Sequence, residues 1–173
     1  MHYFLLGPSG VGKTTFGDWL GANRKYQYLH LAVDRGEKDD GLTAEGLIKL
    51  WDQLTQGNPA PLARKLQDLA ESKGEKSCAL TFPSVTFFPA ASIDHLAEHN
   101  IAVRYLYGPK ESCIENYVRR ENRPDRDRAF WCQNNRLYEK MGAPELAPYR
   151  VDIIDPSGKR LTESEIAELL EIV

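Results

Sequence analysis

Gly7-Pro8-Ser9-Gly10-Val11-Gly12-Lys13-Thr14 is the stretch on which the reading of this chain turns. An apolar run, Tyr3-Phe4-Leu5-Leu6, precedes it, and Phe16, Trp19 and Leu20 follow at helical spacing. Strand, glycine loop and helix, in that order, is the setting in which G-x-x-x-x-G-K-[ST] denotes a phosphate-binding loop. Gly7, Gly10 and Gly12 permit backbone conformations that turn a row of N–H groups toward an anion. Lys13 adds a mobile positive charge for the terminal phosphates, and the hydroxyl of Thr14 is of the type that ligates Mg²⁺. The positive end of the helix that begins near Lys13 adds its dipole. The pattern predicts that Gly7, Ser9, Gly10, Val11 and Gly12, continuing into Lys13, Thr14 and Thr15, hold the phosphates of a nucleoside triphosphate.

The rest of the composition narrows the classes. A length of 173 residues fits one domain with a proper core. A formal net charge of −3 argues against a general nucleic-acid or membrane binder. Cys78, Cys113 and Cys132 are far apart and form no C-x-x-C pair, which suits free thiols in a reducing compartment. The opening strand leaves no room for a signal peptide, and no apolar run approaches a membrane span. A cytoplasmic protein is expected.

Hydrophobic periodicity divides the remaining chain into alternating strands and helices. Strands are expected over 26–33, ending at Asp34, and over 78–82, 101–107 and 151–154. Helices are expected from Thr43 through Leu54, around Leu62 to Ala70, over 92–99 and 111–122, and as one long helix carrying Phe130 to Met141. Thr162-x-x-Glu165 is a capping box that opens a terminal helix. Five strands separated by helices predict an α/β fold, a five-stranded parallel sheet covered on both faces. No internal repeat or domain boundary interrupts it. The insertion over about 35–76 reads as a substrate flap within a single domain, 1–173.

Two further places carry candidate chemistry. Asp34 ends an apolar strand at the carboxyl edge of the sheet, where ligands of open α/β folds bind. A carboxylate there either holds Mg²⁺ through water or orients an acceptor hydroxyl; the plainer alternative is a polar residue that begins a surface loop. The segment 119–128 holds five arginines, interleaved with Glu121, Asp125 and Asp127. Arginine over lysine favours bidentate phosphate contact, against the alternative of a salt-bridged solvent loop. His30, inside a strand, reads as a hydrogen-bonded core histidine. Arg64 and Lys65 read equally as a grip on an anionic acceptor or as an exposed helix face.

The order of these parts resembles the small P-loop kinases: shikimate kinases, gluconate kinases and nucleoside monophosphate kinases. The resemblance covers nearly the whole chain, although only the P-loop is specific by itself. It implies the three-layer P-loop NTPase fold with a helical substrate flap and an arginine-rich lid over about 119–128 that closes on ATP. By position, Arg119 resembles the lid arginine that stacks on adenine and Arg126 the one that meets the transferring phosphoryl group, with Arg123 and Arg128 as alternates. The turn at Pro156 and Ser157 resembles the loop that lines the adenine pocket. The chain also departs from the family. The Asp-x-Asp at the end of strand two falls on His30 and Ala32, with Asp34 two residues later. Thr81-Phe82-Pro83-Ser84 stands where shikimate kinases carry a glycine triplet, and Asn134 replaces their substrate arginine.

These features together lead to the expectation of an ATP- and Mg²⁺-dependent phosphotransferase. Lys13, Asp34 and Arg126 would be catalytic, Thr14 and Asp34 would serve the metal, and Arg119, Arg123 and Pro156 would join the loop in holding ATP. The acceptor would be a small molecule other than shikimate, with no nucleic acid or membrane as partner. The rival class is a nucleotide-binding ATPase or regulatory switch without an acceptor. No N-K-x-D base motif supports a GTPase, and no L-S-G-G-Q signature supports a transporter ATPase.

Overall fold

A computed structural model of the chain describes residues 1–33 and 57–172. Its sheet has five strands: β1 (His2–Leu6), β2 (Tyr28–Ala32), β3 (Ser77–Thr81), β4 (Ile101–Tyr107) and β5 (Arg150–Asp152). They lie in the order β2-β3-β1-β4-β5 and every pairing is parallel. Because β1 is central, it is buried on both faces, which explains its unbroken apolar run. Tyr3 and Leu5 point into one core and Phe4 and Leu6 into the other, as the two-residue period of a strand requires.

Helices cover both faces. On the Tyr3 side lie α1 (Lys13–Ala22), α4 (Lys110–Glu121), α5 (Arg128–Asn134) and α7 (Glu163–Leu169), which contribute Phe16, Ile114, Trp131 and Ile166. On the Phe4 side lie α2 (Ala60–Ser72) and α3 (Ala90–Ala97), with Leu62 and Leu66 from the first and Ile93 from the second. Fully burying one such side chain contributes about 1.5–3 kcal/mol. The expected three-layer α/β architecture is the one observed.

Successive connections place β3 on one side of β1 and β4 on the other. The loop after β1 therefore opens at the point where the strand order reverses, the usual ligand crevice of such sheets. Two local details differ from the sequence reading. The single helix expected over 130–141 is broken into α5 and α6 (Tyr138–Met141). Asn135 causes the break: its Nδ2 donates to the Trp131 carbonyl at 2.8 Å while its Oδ1 accepts from the Ser9 N–H at 2.7 Å. The fifth strand closes after Asp152, and Ile154 instead forms an isolated antiparallel bridge with Arg160. The helix expected from Thr43 lies outside the described residues, as do Asp34 and residues 35–56 of the segment expected to be a flap, whose remainder includes α2. The capping box is present, with Thr162 and Glu165 exchanging both bonds at the start of α7.

Candidate active site

The glycine loop is shaped by what surrounds it. Gly10 has φ +84°, and a Cβ at that position would fall 2.0 Å from the Cys113 carbonyl oxygen of α4. Only glycine both takes that backbone angle and lets α4 approach so closely. Lys13, the first residue of α1 and buried to 9% exposure, turns back over the loop. Its ammonium donates to the carbonyls of Gly7 at 2.8 Å and Pro8 at 3.0 Å. The charge is thus held above the loop backbone, where the motif needs it.

Ser9 is clamped from the far end of the chain. The Trp131 indole N–H donates to the Ser9 carbonyl at 2.8 Å, complementing the bond from Ser9 N–H to Asn135. The Ser9 hydroxyl lies 3.3 Å from that of Ser84, which donates in turn to the Asn134 carbonyl at 3.2 Å. Loop, β3 end and α5 are therefore joined by hydrogen bonds through one residue. Beneath them, burial pushes the Cys113 thiol up to about 12 against the opposing pull of Lys13, so the thiol stays protonated.

A cleft of about 350 Å³ opens over the loop. Gly12, Lys13, Thr14 and Thr15 form its floor, Pro83, Ser84 and Asn134 one wall, and Tyr117, Arg126 and Phe130 the other. Lys13, Arg120 and Arg126 give it three cations, and no carboxylate lines it among the described residues. That excess suits an anion in a chain whose net charge is negative.

The sequence matches no protein-family model and no curated protein. Solved structures do match over nearly the whole chain. A tunicamycin resistance protein from Deinococcus radiodurans superposes with a TM-score of 0.53 at 16% identity, covering 98% of this chain and 94% of that one. A sugar kinase from a Janibacter species gives 0.51 at 17% identity, covering 99% and 95%. A shikimate kinase from Bacteroides thetaiotaomicron gives 0.50 at 16% identity, covering 99% and 98%. The chain has the small P-loop kinase fold.

Within the P-loop kinase fold, the arginine-rich segment follows α4, whose end is marked by Asn122 in a left-handed conformation (φ +47°). Asp127 starts α5 by accepting the Phe130 N–H at 2.9 Å. Arg126 stacks its guanidinium on the Phe130 ring at 3.9 Å, and its buried Nε has no hydrogen-bond partner. Asp125 is its nearest countercharge, at 3.6 Å. The other arginines in the segment point elsewhere. Arg119 donates to Asn116 at 2.8 Å, Arg123 pairs with Asp125 at 3.3 Å, and Arg128 binds Glu111 through both terminal nitrogens. None of these three lines the cleft, whereas Arg120 does, packed over Tyr117. Pro156 sits exposed in the turn after β5 and does not line the cleft either.

The remaining candidates also have clear settings. His30 is a bonded core histidine, with Nδ1 3.0 Å from Asp18 Oδ1 and Nε2 3.0 Å from the Thr81 hydroxyl. Arg64 and Lys65 are exposed on α2. Among the described residues, no group of three or more His, Cys, Asp or Glu side chains is placed to hold a metal. No described helix is long and apolar enough to cross a membrane. Trp131, Asn135, Ser84 and Arg120 enter the site without having been singled out as site residues. Only the arginine density around Arg120 offered a signal in the sequence.

Proposed function

We propose that this protein is an ATP-dependent phosphotransferase that moves the γ-phosphoryl group to a hydroxyl of a small-molecule acceptor. The observation that carries this reading is the pairing of two cations over one glycine loop. Lys13 is held above the loop by its carbonyls, and Arg126 lines the same cleft with a buried Nε that makes no hydrogen bond and has only the Asp125 carboxylate nearby at 3.6 Å. A desolvated guanidinium N–H that lacks a hydrogen-bond acceptor is costly unless a bound anion supplies one. In-line transfer gains most of its rate from positioning and from neutralising charge on the transferring group, which these two residues would supply.

Mg²⁺ fits the donor set in a limited way. Thr14 lines the cleft and offers one hydroxyl, a sparse set that matches an ion whose other ligands are phosphate oxygens and water. Mg²⁺ bound there would neutralise charge on the phosphates as it develops. Asp34, outside the described residues, remains the proposed carboxylate for hydrated metal or for orienting the acceptor. Ser84 and Asn134 are neutral groups on the cleft wall, which suits a hydroxylated acceptor better than a carboxylate.

The test is ATP turnover with Mg²⁺ across a panel of nucleosides, sugars, sugar acids and other hydroxylated metabolites, with the phosphorylated product identified by mass spectrometry. Turnover that depends on one acceptor class is expected. ATP hydrolysis at the same rate with and without every acceptor would replace this reading with a nucleotide-hydrolysing switch.

A further inference from the structure

Arg160 lies in the segment between β5 and α7, outside the glycine-loop motif and outside the lining of the cleft described above, and meets the loop at Gly12. The bridge to Ile154 folds this segment back, and the Arg160 side chain comes to rest on Gly12. A Cβ at Gly12 would lie 2.7 Å from Nε and 3.2 Å from Nη2 of Arg160. The missing side chain at that loop position is what admits a guanidinium. One edge of the guanidinium is satisfied: Nη1 donates to Glu163 Oε1 at 2.7 Å and to the Leu161 carbonyl at 3.3 Å. The other edge is not. Nε and Nη2 are buried and have no hydrogen-bond partner.

The surroundings make this placement more costly. Gly12 is the N-cap of α1, where the helix dipole presents its positive end, and the next residue is Lys13. A second cation there is opposed by the helix dipole and offset by Glu163 on its far edge. Three features thus coincide at one end of the loop: a guanidinium packed where a side chain at Gly12 would be, two buried donors without acceptors and a positive helix end whose charge only Glu163 offsets. An anion at the loop would resolve the last two. Arg160 meets the loop at Gly12, whereas the Lys13 ammonium reaches back to the carbonyls of Gly7 and Pro8.

We propose, resting on the phosphotransferase reading above, that Arg160 positions the nucleotide by donating Nε and Nη2 to its non-transferred phosphates. Lys13 and Arg126 serve the transferring end. Glu163 holds the fork in place from behind, so the donors need little reorganisation when nucleotide arrives.

Two substitutions test this. Arg160→Met keeps the stem and most of the packing but removes the donors, and Arg160→Lys keeps the charge without the fork. Calorimetric affinities for ATP and ADP, and thermal melting without ligand, are measured for both variants and the unsubstituted chain. Losing hydrogen bonds to a charged group predicts that Arg160→Met binds ATP and ADP about tenfold or more weakly, by the same factor for each. Its ligand-free melting temperature should change little, because removing two buried unsatisfied donors offsets the loss of the ion pair with Glu163. Arg160→Lys should recover part of the affinity. A loss confined to ATP would overturn the assignment to non-transferred phosphates. Unchanged affinity for both nucleotides, or a lower melting temperature with any loss of affinity, would make Arg160 a packing residue and overturn the proposal. If the unsubstituted chain binds neither nucleotide, the phosphotransferase reading fails and this inference fails with it.

Discussion

Trp131 donates its indole N–H to the backbone carbonyl of Ser9 across 2.8 Å, joining two residues 122 positions apart. The bond fixes the glycine loop against α5 and leaves the Trp131 ring 1% exposed. Trp131→Phe would strand the Ser9 carbonyl and open a gap the smaller ring does not fill. A loss of roughly 1–3 kcal/mol in urea unfolding is expected, the scale of a buried polar group left unsatisfied. Turnover should fall as well, because the loop loses a clamp. An unchanged denaturation midpoint would mean that Asn135 alone holds Ser9.

Lys13→Ala should leave a folded protein, since the residue lies at a helix start and its bonds go to loop carbonyls. Turnover should drop by about 10²-fold or more, the scale of removing a positioned charge from a developing anion. Steady-state ATP turnover at saturating acceptor measures it. Near-normal turnover in a folded variant would remove the loop from the mechanism.

Arg126→Ala separates chemistry from binding. If its Nε, which makes no hydrogen bond in the free protein, meets the transferring group, turnover should fall by at least about tenfold while ATP affinity changes little. Arg126→Lys should restore little, because a lysine neither stacks on Phe130 in the same way nor presents a planar fork. Equal losses in affinity and turnover would place Arg126 in ground-state binding instead.

Gly17→Ala sets two effects against each other. An alanine inside α1 gains up to about 1 kcal/mol of helix propensity. Its Cβ, however, would fall 2.3 Å from the Nε2 of His30, and that ring is bonded to Asp18 on one side and Thr81 on the other. A ring held at both nitrogens does not move aside cheaply, so overpacking of about 1–3 kcal/mol should win and the variant should be less stable. A rise in melting temperature would show that the ring is free to shift.

His2 predicts an acid-sensitive core. Burial, aided by the adjacent N-terminal charge, lowers its imidazole from 6.5 to about 4. Its Nδ1 accepts the Cys78 N–H at 3.0 Å, which requires an unprotonated nitrogen there. A base that is harder to protonate when folded contributes its stability in full above about pH 6.5. That contribution is lost progressively as pH falls toward 4, because the unfolded chain takes up the proton first. The whole span amounts to about 3 kcal/mol. Unfolding free energies at pH 7.5 and 4.5 should therefore differ less in His2→Asn, which keeps an acceptor without the titration. The same pH dependence in both proteins would assign the acid sensitivity to other groups.

The parts legible in the sequence are those whose physics is local. The glycine loop, its strand and its helix occupy one continuous stretch, and the two-faced burial of β1 follows directly from four consecutive apolar residues. The capping box at Thr162 was equally plain, since both partners lie within one turn. What escaped depends on pairs that only the folded sheet brings together. Ser9 with Trp131 and Asn135, and Gly12 with Arg160, have no signature at either end. The arginine-rich segment shows an intermediate case. Arginine density marked the segment, but adjacent helical positions point about 100° apart, so reading along the chain did not separate Arg119, bonded to Asn116, from Arg120 in the cleft.

The clamp on Ser9 also has a consequence during synthesis. The strand β1 is made before every strand it pairs with, and Asn135 follows Ser9 by 126 residues. At ribosomal rates of about 5–20 residues per second, roughly 6–25 s separate the two. Both strands that flank β1, β3 and β4, are made within that interval, so the strand gains its sheet partners before the loop gains its clamp. The loop that heads the fold is among the last parts to be secured, so a chain stalled short of Asn135 would carry the motif without its geometry.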